Sequence, residues 1–203
     1  MDAELTTQRR AADQRTLFEQ AIFRVQAYVE SKDIQPPDCF ISYAWGEPEH
    51  ERWVEKRLAQ DLQKAGISVI LDRWENSRVG SSISRFVERI EKVDRVITIG
   101  TPLYRKKYEN KDSKTSYVVA GEIQLINDRL LGTEEQRQTI LPLVLAGEKR
   151  NALPPLLHDK VHADFRNEET YFTTAFDLIL DLYNIPHTDQ AVADLREQLR
   201  GRM

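Results

Sequence analysis

Cysteine and long apolar runs are scarce in this sequence. The single cysteine, Cys39, cannot form a disulfide within the chain, and its place in an apolar run predicts an unreactive core thiol. No apolar run approaches the ~18 residues that a membrane-spanning helix needs, and the polar N-terminus does not resemble a signal peptide. We therefore expect a cytoplasmic protein that neither enters a membrane nor depends on disulfides.

A dominant charge and the common nucleotide and metal motifs are also missing. Lysine and arginine number 29 against 33 aspartates and glutamates, for a net charge of −4, so we expect no nucleic-acid partner. The sequence has no glycine-rich phosphate loop and no Gly-x-Ser-x-Gly elbow. Its four histidines lack metal-ligand spacing and predict no metal site: His50, His158, His162 and His187.

The apolar stretch 38–45 organises the rest of the fold prediction. It holds β-branched and aromatic residues between Pro37 and Gly46, a pattern typical of a strand buried on both faces. Such a strand needs helices on each side, so the sequence predicts an α/β fold. Four more apolar runs alternate with helical patterns, and we predict strands over 67–71, 93–99, 139–145 and 161–165. The expected architecture is a flavodoxin-like, five-stranded parallel sheet in the order 2-1-3-4-5, with helices on both faces.

Helical segments precede and follow this α/β unit. We divide the chain into an N-terminal amphipathic helix with its linker (1–35), a central domain (36–184) and a C-terminal helix or tail (185–203). The apolar stripe of the first helix either packs on the central domain or mediates self-association; its members are Leu17, Phe18, Ala21, Ile22, Val25, Tyr28 and Val29. After the third strand we predict a polar loop over 100–115, a length typical of functional or mobile loops.

A carboxylate stands out on the helix predicted after that loop. At about 100° per residue, Glu122 projects between two apolar arcs, formed by Val119, Ile123, Ile126 and Leu130 on one side and Val118 and Leu125 on the other. Burial between apolar neighbours disfavours the charged form and raises the pKa of a carboxyl group. Such carboxylates are typical of acid–base and nucleophilic sites. The alternative is a glutamate that reaches solvent or hydrogen-bonds a nearby backbone group.

Further polar and aromatic residues follow the first two strands. Because the carboxyl ends of parallel strands meet at one edge of a sheet, we expect these residues to converge at one rim. They are Ser42, Tyr43, Trp45, Asp72, Arg73 and Trp74, with Ser82 at the start of the next helix. Trp45 and Trp74 can stack on a base or a nicotinamide ring, or pack beneath their own loops. Asp72 and Arg73 can equally form an ordinary surface ion pair.

Three separated segments resemble the sequence boxes of Toll/interleukin-1-receptor (TIR) domains. Residues 37–45, Pro-Asp-Cys-Phe-Ile-Ser-Tyr-Ala-Trp, are similar to the first box. Residues 69–74, Val-Ile-Leu-Asp-Arg-Trp, followed by Gly80, resemble the second strand and its BB loop. Residues 165–166, Phe-Arg, loosely resemble the third box. With Thr101-Pro102 and Tyr104, these segments are especially similar to the SEFIR-like branch found in bacteria, and the match covers about residues 36–184.

The resemblance implies catalysis for some family members and not for others. Some TIR domains act as scaffolds through self-association, whereas others cleave the nicotinamide–ribose bond of NAD with a glutamate, commonly in a Trp-x-x-x-Glu motif. Alignment on Glu122 puts Val118, beside Tyr117, where the tryptophan would stand, and the BB loop has Val79-Gly80 in place of Pro-Gly. The implied catalytic residue is Glu122, with NAD as substrate and no separate cofactor or metal. The implied substrate-binding residues are Ser42, Tyr43, Trp45, Asp72, Arg73, Trp74, Ser82 and Tyr117.

Three functions are compatible with this resemblance. The first is an NAD+ glycohydrolase with linear or cyclic ADP-ribose as product, activated by self-assembly in a bacterial defence or signalling system. The second is a non-enzymatic adaptor that associates through the BB loop (72–82) and the apolar stripes at 17–29 and 192–199. The third is an enzyme similar to nucleoside deoxyribosyltransferases, which share the fold and use a glutamate nucleophile. NAD turnover, association without turnover, and base exchange on a deoxynucleoside distinguish them.

Overall fold

The computed structural model describes residues 2–72, 83–109 and 117–201, and their side chains outside 2–11, 83–85, 87 and 117–121. The strands are β1 (Asp38–Ser42), β2 (Ser68–Ile70), β3 (Arg95–Gly100), β4 (Ile140–Val144) and β5 (Ala163–Asp164). The helices are α1 (Asp2–Ser31), α2 (Pro48–Trp53), a π-helical turn (Val54–Leu58), α3 (Ala59–Lys64), α4 (Ile83–Glu91), α5 (Pro102–Glu109), α6 (Tyr117–Leu131), α7 (Glu134–Gln138), α8 (Lys149–Ala152), α9 (Tyr171–Leu182) and α10 (Gln190–Arg200). None of the helices over these ranges is long and apolar enough to cross a bilayer.

The five strands form one parallel sheet in the order β2-β1-β3-β4-β5. This order confirms the predicted flavodoxin-like topology. Ser42, the last residue of β1, stands in register with Thr98 of β3, while Phe40 pairs with Ile70 of β2. The carboxyl ends of β1 and β3 therefore lie side by side at one edge of the sheet, which is the edge that carries the candidate site.

Apolar side chains cover both faces of the sheet. Successive residues of β1 point to opposite faces: Cys39 and Ile41 pack in the cluster that includes α1, α9 and α10, whereas Phe40 packs in the cluster that includes α4 and α6. The two-sided burial predicted for this strand is therefore confirmed. Cys39 is fully buried, and burial raises the pKa of its thiol, which agrees with the expectation of an unreactive core cysteine.

The helix α1 packs against the body of the protein through its apolar stripe. Phe18, Ile22 and Val25 are at most 4 % exposed and belong to the same core as the stripe of α10. Packing on the central domain, the first interpretation of this stripe, is therefore confirmed. The stripes at 17–29 and 192–199 contribute to the core of the chain itself, and self-association through them stays a prediction. The domain boundaries at residues 35 and 184 stay a prediction.

A buried aspartate links α1, α3 and α9. Asp61 is 1 % exposed and accepts hydrogen bonds from the Arg15 guanidinium at 2.9 Å and from the Tyr171 hydroxyl at 2.9 Å. The ammonium group of Lys64 lies 3.8 Å from the same carboxylate. A buried charge needs such partners because they replace the hydration that it loses. The attachment of α1 therefore combines apolar packing with a shared polar contact.

We predict that Asp61→Ala lowers the free energy of unfolding by about 2–4 kcal/mol, because it leaves the buried Tyr171 hydroxyl without its acceptor. Urea unfolding at neutral pH measures the change. The exposed Asp194 of α10 provides the control, and Asp194→Ala should change the same free energy by no more than about 0.5 kcal/mol. Equal losses in the two variants would contradict the role given to Asp61.

The loop predicted over 100–115 contains the helix α5, so this part of the prediction is wrong. The Thr101 hydroxyl accepts a hydrogen bond from the backbone N–H of Tyr104 at 3.0 Å, and Pro102 is the first helical residue. Both are ordinary helix-start signals. The high polarity of the segment outweighed them in the sequence-based interpretation. Residues 110–116 lie outside the described part of the chain.

Candidate functional site

A cavity opens at the carboxyl ends of β1 and β3, against α5 and α6. Its volume is about 620 Å³ when the open mouth is included. Its wall is formed by the end of β1 with the residues after it, by the residue after Leu71, and by the two helices. The lining residues are Ser42, Tyr43, Ala44, Trp45, Asp72, Tyr104, Lys107, Tyr108, Glu122 and Ile123.

Glu122 of α6 forms the acidic part of this cavity. The residue is 8 % exposed, and its Oε2 atom accepts a hydrogen bond from the Ser42 hydroxyl at 3.2 Å. Burial, reinforced by the nearby charge of Asp72, raises the pKa of Glu122 to about 8, although the hydrogen bond from Ser42 opposes the shift. The predicted burial of this carboxyl group is therefore confirmed, the direction of its pKa shift agrees with the prediction, and its catalytic role stays a prediction.

Ser42 is hydrogen-bonded on both sides. Its hydroxyl lies 3.2 Å from the hydroxyl of Tyr104, a residue of α5 that is 6 % exposed. Burial raises the pKa of Tyr104 well above its usual range, so its phenol keeps its proton at any physiological pH. Tyr104, Ser42 and Glu122 thus form a continuous chain of buried polar groups from α5 across β1 to α6.

Aromatic side chains and one lysine surround the mouth of the cavity. Trp45 is 42 % exposed, and the turn that follows it uses Gly46 at φ +119°, a conformation that L-residues with side chains rarely adopt. The ammonium group of Lys107 donates a hydrogen bond to the backbone carbonyl of Trp45. The Tyr43 hydroxyl donates to Glu55 at 2.8 Å, which directs this ring along one wall. The mouth therefore offers flat apolar surfaces next to a positive charge.

The structure brings together five of the residues proposed from the sequence: Ser42, Tyr43, Trp45, Asp72 and Glu122 all line the cavity. Arg73, Trp74 and Ser82 lie outside the described residues, as does most of the BB loop (72–82). The backbone of Tyr117 belongs to α6, but its side chain is outside the described set. The predicted binding roles of all these residues remain predictions.

Three lining residues lie on α5, a segment for which the sequence analysis predicts a loop and no site residue. Tyr104, Lys107 and Tyr108 follow the helical spacing i, i+3, i+4, so they share the face of α5 that meets the cavity. The helix-start pair Thr101-Pro102 together with this spacing was the available signal. Recognition of the helix would have placed two phenols and an ammonium group beside Glu122.

Metal ligation has no support in the parts of the chain that are described. Within residues 2–72, 83–109 and 117–201, no group of three or more histidine, cysteine, aspartate and glutamate side chains is arranged to hold a metal ion. The cavity presents one buried carboxyl group, hydroxyl donors and aromatic surfaces.

Comparison with known proteins shows similarity to a family and to solved structures. The family model for the TIR domain matches residues 39–180. A crystal structure of a prokaryotic SEFIR domain is similar with a TM-score of 0.54 and 24 % sequence identity, over 72 % of this chain and 98 % of that chain. At this identity the likeness to the SEFIR domain shows a shared fold. A search of curated protein sequences finds no match. Because the family model spans more than half of the residues and agrees with the sheet order, the chain belongs to the TIR domain family.

Proposed function

We propose that this protein is an NAD+ glycohydrolase that breaks the bond between nicotinamide and ribose. The observation that carries the proposal is the buried Glu122 carboxyl group in an aromatic-lined cavity at the carboxyl edge of the sheet. Concave sites that combine apolar walls with one polar group of perturbed pKa are typical of catalytic centres. The family also includes NAD-cleaving members, as the sequence resemblance implies.

The proposed reaction needs a carboxylate near the anomeric carbon. When the bond from C1′ to the nicotinamide nitrogen breaks, both electrons leave with nicotinamide, which departs neutral, and the ribose becomes an oxocarbenium ion. An ionised Glu122 stabilises this positive charge or bonds to C1′. A water molecule then supplies oxygen to C1′ and releases one proton. A low local dielectric strengthens the attraction between the carboxylate and the developing cation.

The protonation state of Glu122 fits a cationic substrate. With a pKa of about 8, this group is mostly neutral at pH 7 in the empty cavity. The nicotinamide ring of NAD+ carries a positive charge, and a positive charge within a few ångströms favours the ionised form of a carboxyl group. We therefore expect substrate binding to release a proton from Glu122 and so to generate the carboxylate that the reaction uses.

The aromatic wall suits the planar parts of the substrate. Trp45, Tyr43 and Tyr108 line the cavity and offer surfaces on which a nicotinamide or adenine ring can stack. Ser42, beside Glu122, is within reach of a ribose hydroxyl bound at the same carboxylate. These contacts would hold C1′ close to the carboxyl group, and positioning of this kind supplies much of the rate in such reactions.

A comparison of NAD+ with NADH tests the proposal. We expect the purified protein at high concentration to release nicotinamide from NAD+ and to leave NADH intact, because the uncharged dihydronicotinamide would have to depart as an anion. Chromatography of the products measures both reactions and separates linear from cyclic ADP-ribose. Base exchange on a deoxynucleoside without NAD+ cleavage would favour the deoxyribosyltransferase-like reaction instead.

Self-assembly belongs to the proposal as its condition of activity. We propose that copies of the chain associate, through the BB loop (72–82) among other contacts, in a bacterial defence or signalling system. The assay is therefore run both with dilute protein and with a crowding agent, with sedimentation measured on the same samples. Assembled protein that leaves NAD+ intact under every condition would contradict the glycohydrolase.

The second candidate function is a non-enzymatic scaffold. Its specific support is a shallow groove between α5, α6 and the segment after α8, where Leu131 is 71 % exposed and Leu156 is 44 % exposed. Adjacent exposed leucines are typical of contact surfaces between proteins. Loss of association in Leu131→Ser, together with an absence of NAD+ turnover in the wild type, would favour the scaffold.

A further inference from the structure

Three buried hydroxyl and carboxyl groups stand in line at the inner end of the cavity. Tyr104 is 6 % exposed, Ser42 is 3 % exposed and Glu122 is 8 % exposed. The two oxygen–oxygen separations along the line, Tyr104 to Ser42 and Ser42 to Glu122, are both 3.2 Å. Buried polar groups in such a chain polarise one another, so the outer member affects the inner one.

The series of hydrogen bonds from Tyr104 through Ser42 to Glu122 can form in both protonation states of Glu122. With the carboxylate ionised, Tyr104 donates to Ser42 and Ser42 donates to Oε2 of Glu122. With the carboxyl group neutral, every donor direction can reverse, because the hydroxyls of Ser42 and Tyr104 also accept hydrogen bonds. The hydrogen bonds stabilise the ionised form of Glu122 more than the neutral form, since a hydrogen bond to a charged group is stronger than one between neutral groups.

The Ser42 hydroxyl has an alternative neighbour. Thr98 of β3 stands in register with Ser42 on the same face of the sheet, and it is fully buried. Within the described residues its hydroxyl oxygen has no hydrogen-bond partner. Without a donor from α5, the Ser42 hydroxyl could turn away from Glu122 toward this oxygen. When the Tyr104 hydroxyl donates a hydrogen bond to the Ser42 oxygen, it prevents that rotation.

We propose that Tyr104 is a positioning residue, whose phenol fixes the Ser42 hydroxyl in the orientation that donates to the Glu122 carboxylate. Hydrogen bonds link Tyr104 to the carboxyl group through Ser42, so we expect Tyr104 to act on the proton equilibrium of Glu122. The catalytic consequence rests on the proposed NAD+ cleavage, whereas the hydrogen-bond chain itself is independent of the substrate.

Other ionisable groups face the same cavity and must be separated from Tyr104. They are Tyr43 and Asp72 at the ends of the first two strands, and Lys107 and Tyr108 on α5. The core cluster that α6 shares with α4 and β4 contains the apolar side chains Phe86, Ile90, Ile140 and Val144. Tyr108 offers the matched control, because it is a phenol on the same helix and face whose hydroxyl donates to Asn127.

The test is a titration of Glu122 in the purified protein without substrate. The infrared band of its protonated carboxyl group is identified by its loss in Glu122→Gln. We expect Tyr104→Phe to raise the midpoint by about half a unit to one unit, the amount that one hydrogen bond is worth. Tyr108→Phe should leave the midpoint within about 0.2 units of the wild type.

A double variant shows whether the effect passes through Ser42. In the Ser42→Ala background the Tyr104→Phe substitution should produce no further shift, because the intermediate hydroxyl is gone. An unchanged midpoint in Tyr104→Phe, or an equal shift with and without Ser42, would overturn the proposal. If Tyr104→Phe does not fold, site-specific fluorotyrosine at this position replaces it. Its more acidic phenol is a stronger donor, and the midpoint should then fall, whereas a rise or no change would overturn the proposal.

The kinetic readout separates this inference from the proposed function. If the protein cleaves NAD+, the acid limb of the kcat–pH profile should move to higher pH in Tyr104→Phe, while KM stays within about twofold. A shifted infrared midpoint in a protein that releases no nicotinamide would support the hydrogen-bond chain and reject the glycohydrolase. A fall in kcat that is equal at all pH values would instead indicate a purely structural role for Tyr104.

Discussion

The substitution Glu122→Gln is expected to reduce nicotinamide release from NAD+ by at least about 100-fold, a loss typical of the removal of one transition-state-stabilising group. The amide keeps the shape of the side chain and can still accept the hydrogen bond from Ser42. It lacks the negative charge that stabilises the oxocarbenium ion, and it is a poor nucleophile. Initial rates from quenched samples at equal protein concentration give the ratio directly.

The control for this experiment lies on the same helix. Asp128 of α6 is exposed and accepts a hydrogen bond from Gln124 at 2.6 Å, so Asp128→Asn makes the same carboxylate-to-amide change outside the cavity. Its rate should stay within about twofold of the wild type. Both variants are assayed under the conditions that assemble the wild type. Equal nicotinamide release by Glu122→Gln and the wild type would end the catalytic assignment.

The substitution Glu122→Gln is also expected to stabilise the protein at alkaline pH and to leave its stability unchanged at acid pH. The pKa of Glu122 rises from 4.5 to about 8 on folding. Below about pH 4.5 the carboxyl group is neutral in both states, so its contribution to stability is fully present. Between the two values the unfolded chain loses the proton and the folded chain keeps it. Stability therefore falls as the pH rises, by about 1.4 kcal/mol per pH unit.

Above about pH 8 both states are ionised and the loss levels off, at roughly 5 kcal/mol for the full shift. Glutamine does not ionise. The free energy of unfolding of Glu122→Gln should therefore be higher than that of the wild type by several kcal/mol at about pH 8.5 and equal to it near pH 4. Urea unfolding across this range measures the difference, with Asp128→Asn as the control. A pH-independent difference between Glu122→Gln and the wild type would show that Glu122 does not titrate abnormally in the folded protein.

One substitution is thus expected to remove the activity and raise the stability. Opposite effects of this kind are typical of groups that are retained for function at the expense of the folded state. A buried glutamate that served only the core would show the same pH dependence of stability, but its replacement by glutamine would leave turnover unchanged. Turnover therefore distinguishes a functional carboxyl group from a structural one, and the stability measurement shows that the group is buried and titrates abnormally.

The sheet was predictable because its signals are local and strong. The run 38–45 is apolar on both sides of the strand, and this pattern is incompatible with a strand that faces water. The handedness rule for crossovers leaves few topologies, and among them the order β2-β1-β3-β4-β5 is the one typical of flavodoxin-like folds. β5 was the weakest strand in the sequence, and it is also the shortest, with two residues in the ladder.

The helices were less predictable where polar residues dominate. α5 was missed because Arg105, Lys106 and Lys107 made the segment resemble a solvated loop, although Thr101 and Pro102 begin a helix there. The role of the α1 stripe could not be chosen from the sequence, because an amphipathic helix has the same pattern whether its apolar face meets its own chain or another copy.

The sequence by itself determined the main strands of the sheet and singled out Glu122 as a candidate, because periodicity reports which side of an element avoids water. The tertiary structure was needed for the partners of that carboxyl group. Ser42 and Tyr104 are 80 and 18 residues away from Glu122 along the chain, and contact at such separations depends on how strands and helices pack. The pKa of a buried group depends on those contacts, and for this reason the chemistry of the cavity could only be derived from the folded protein.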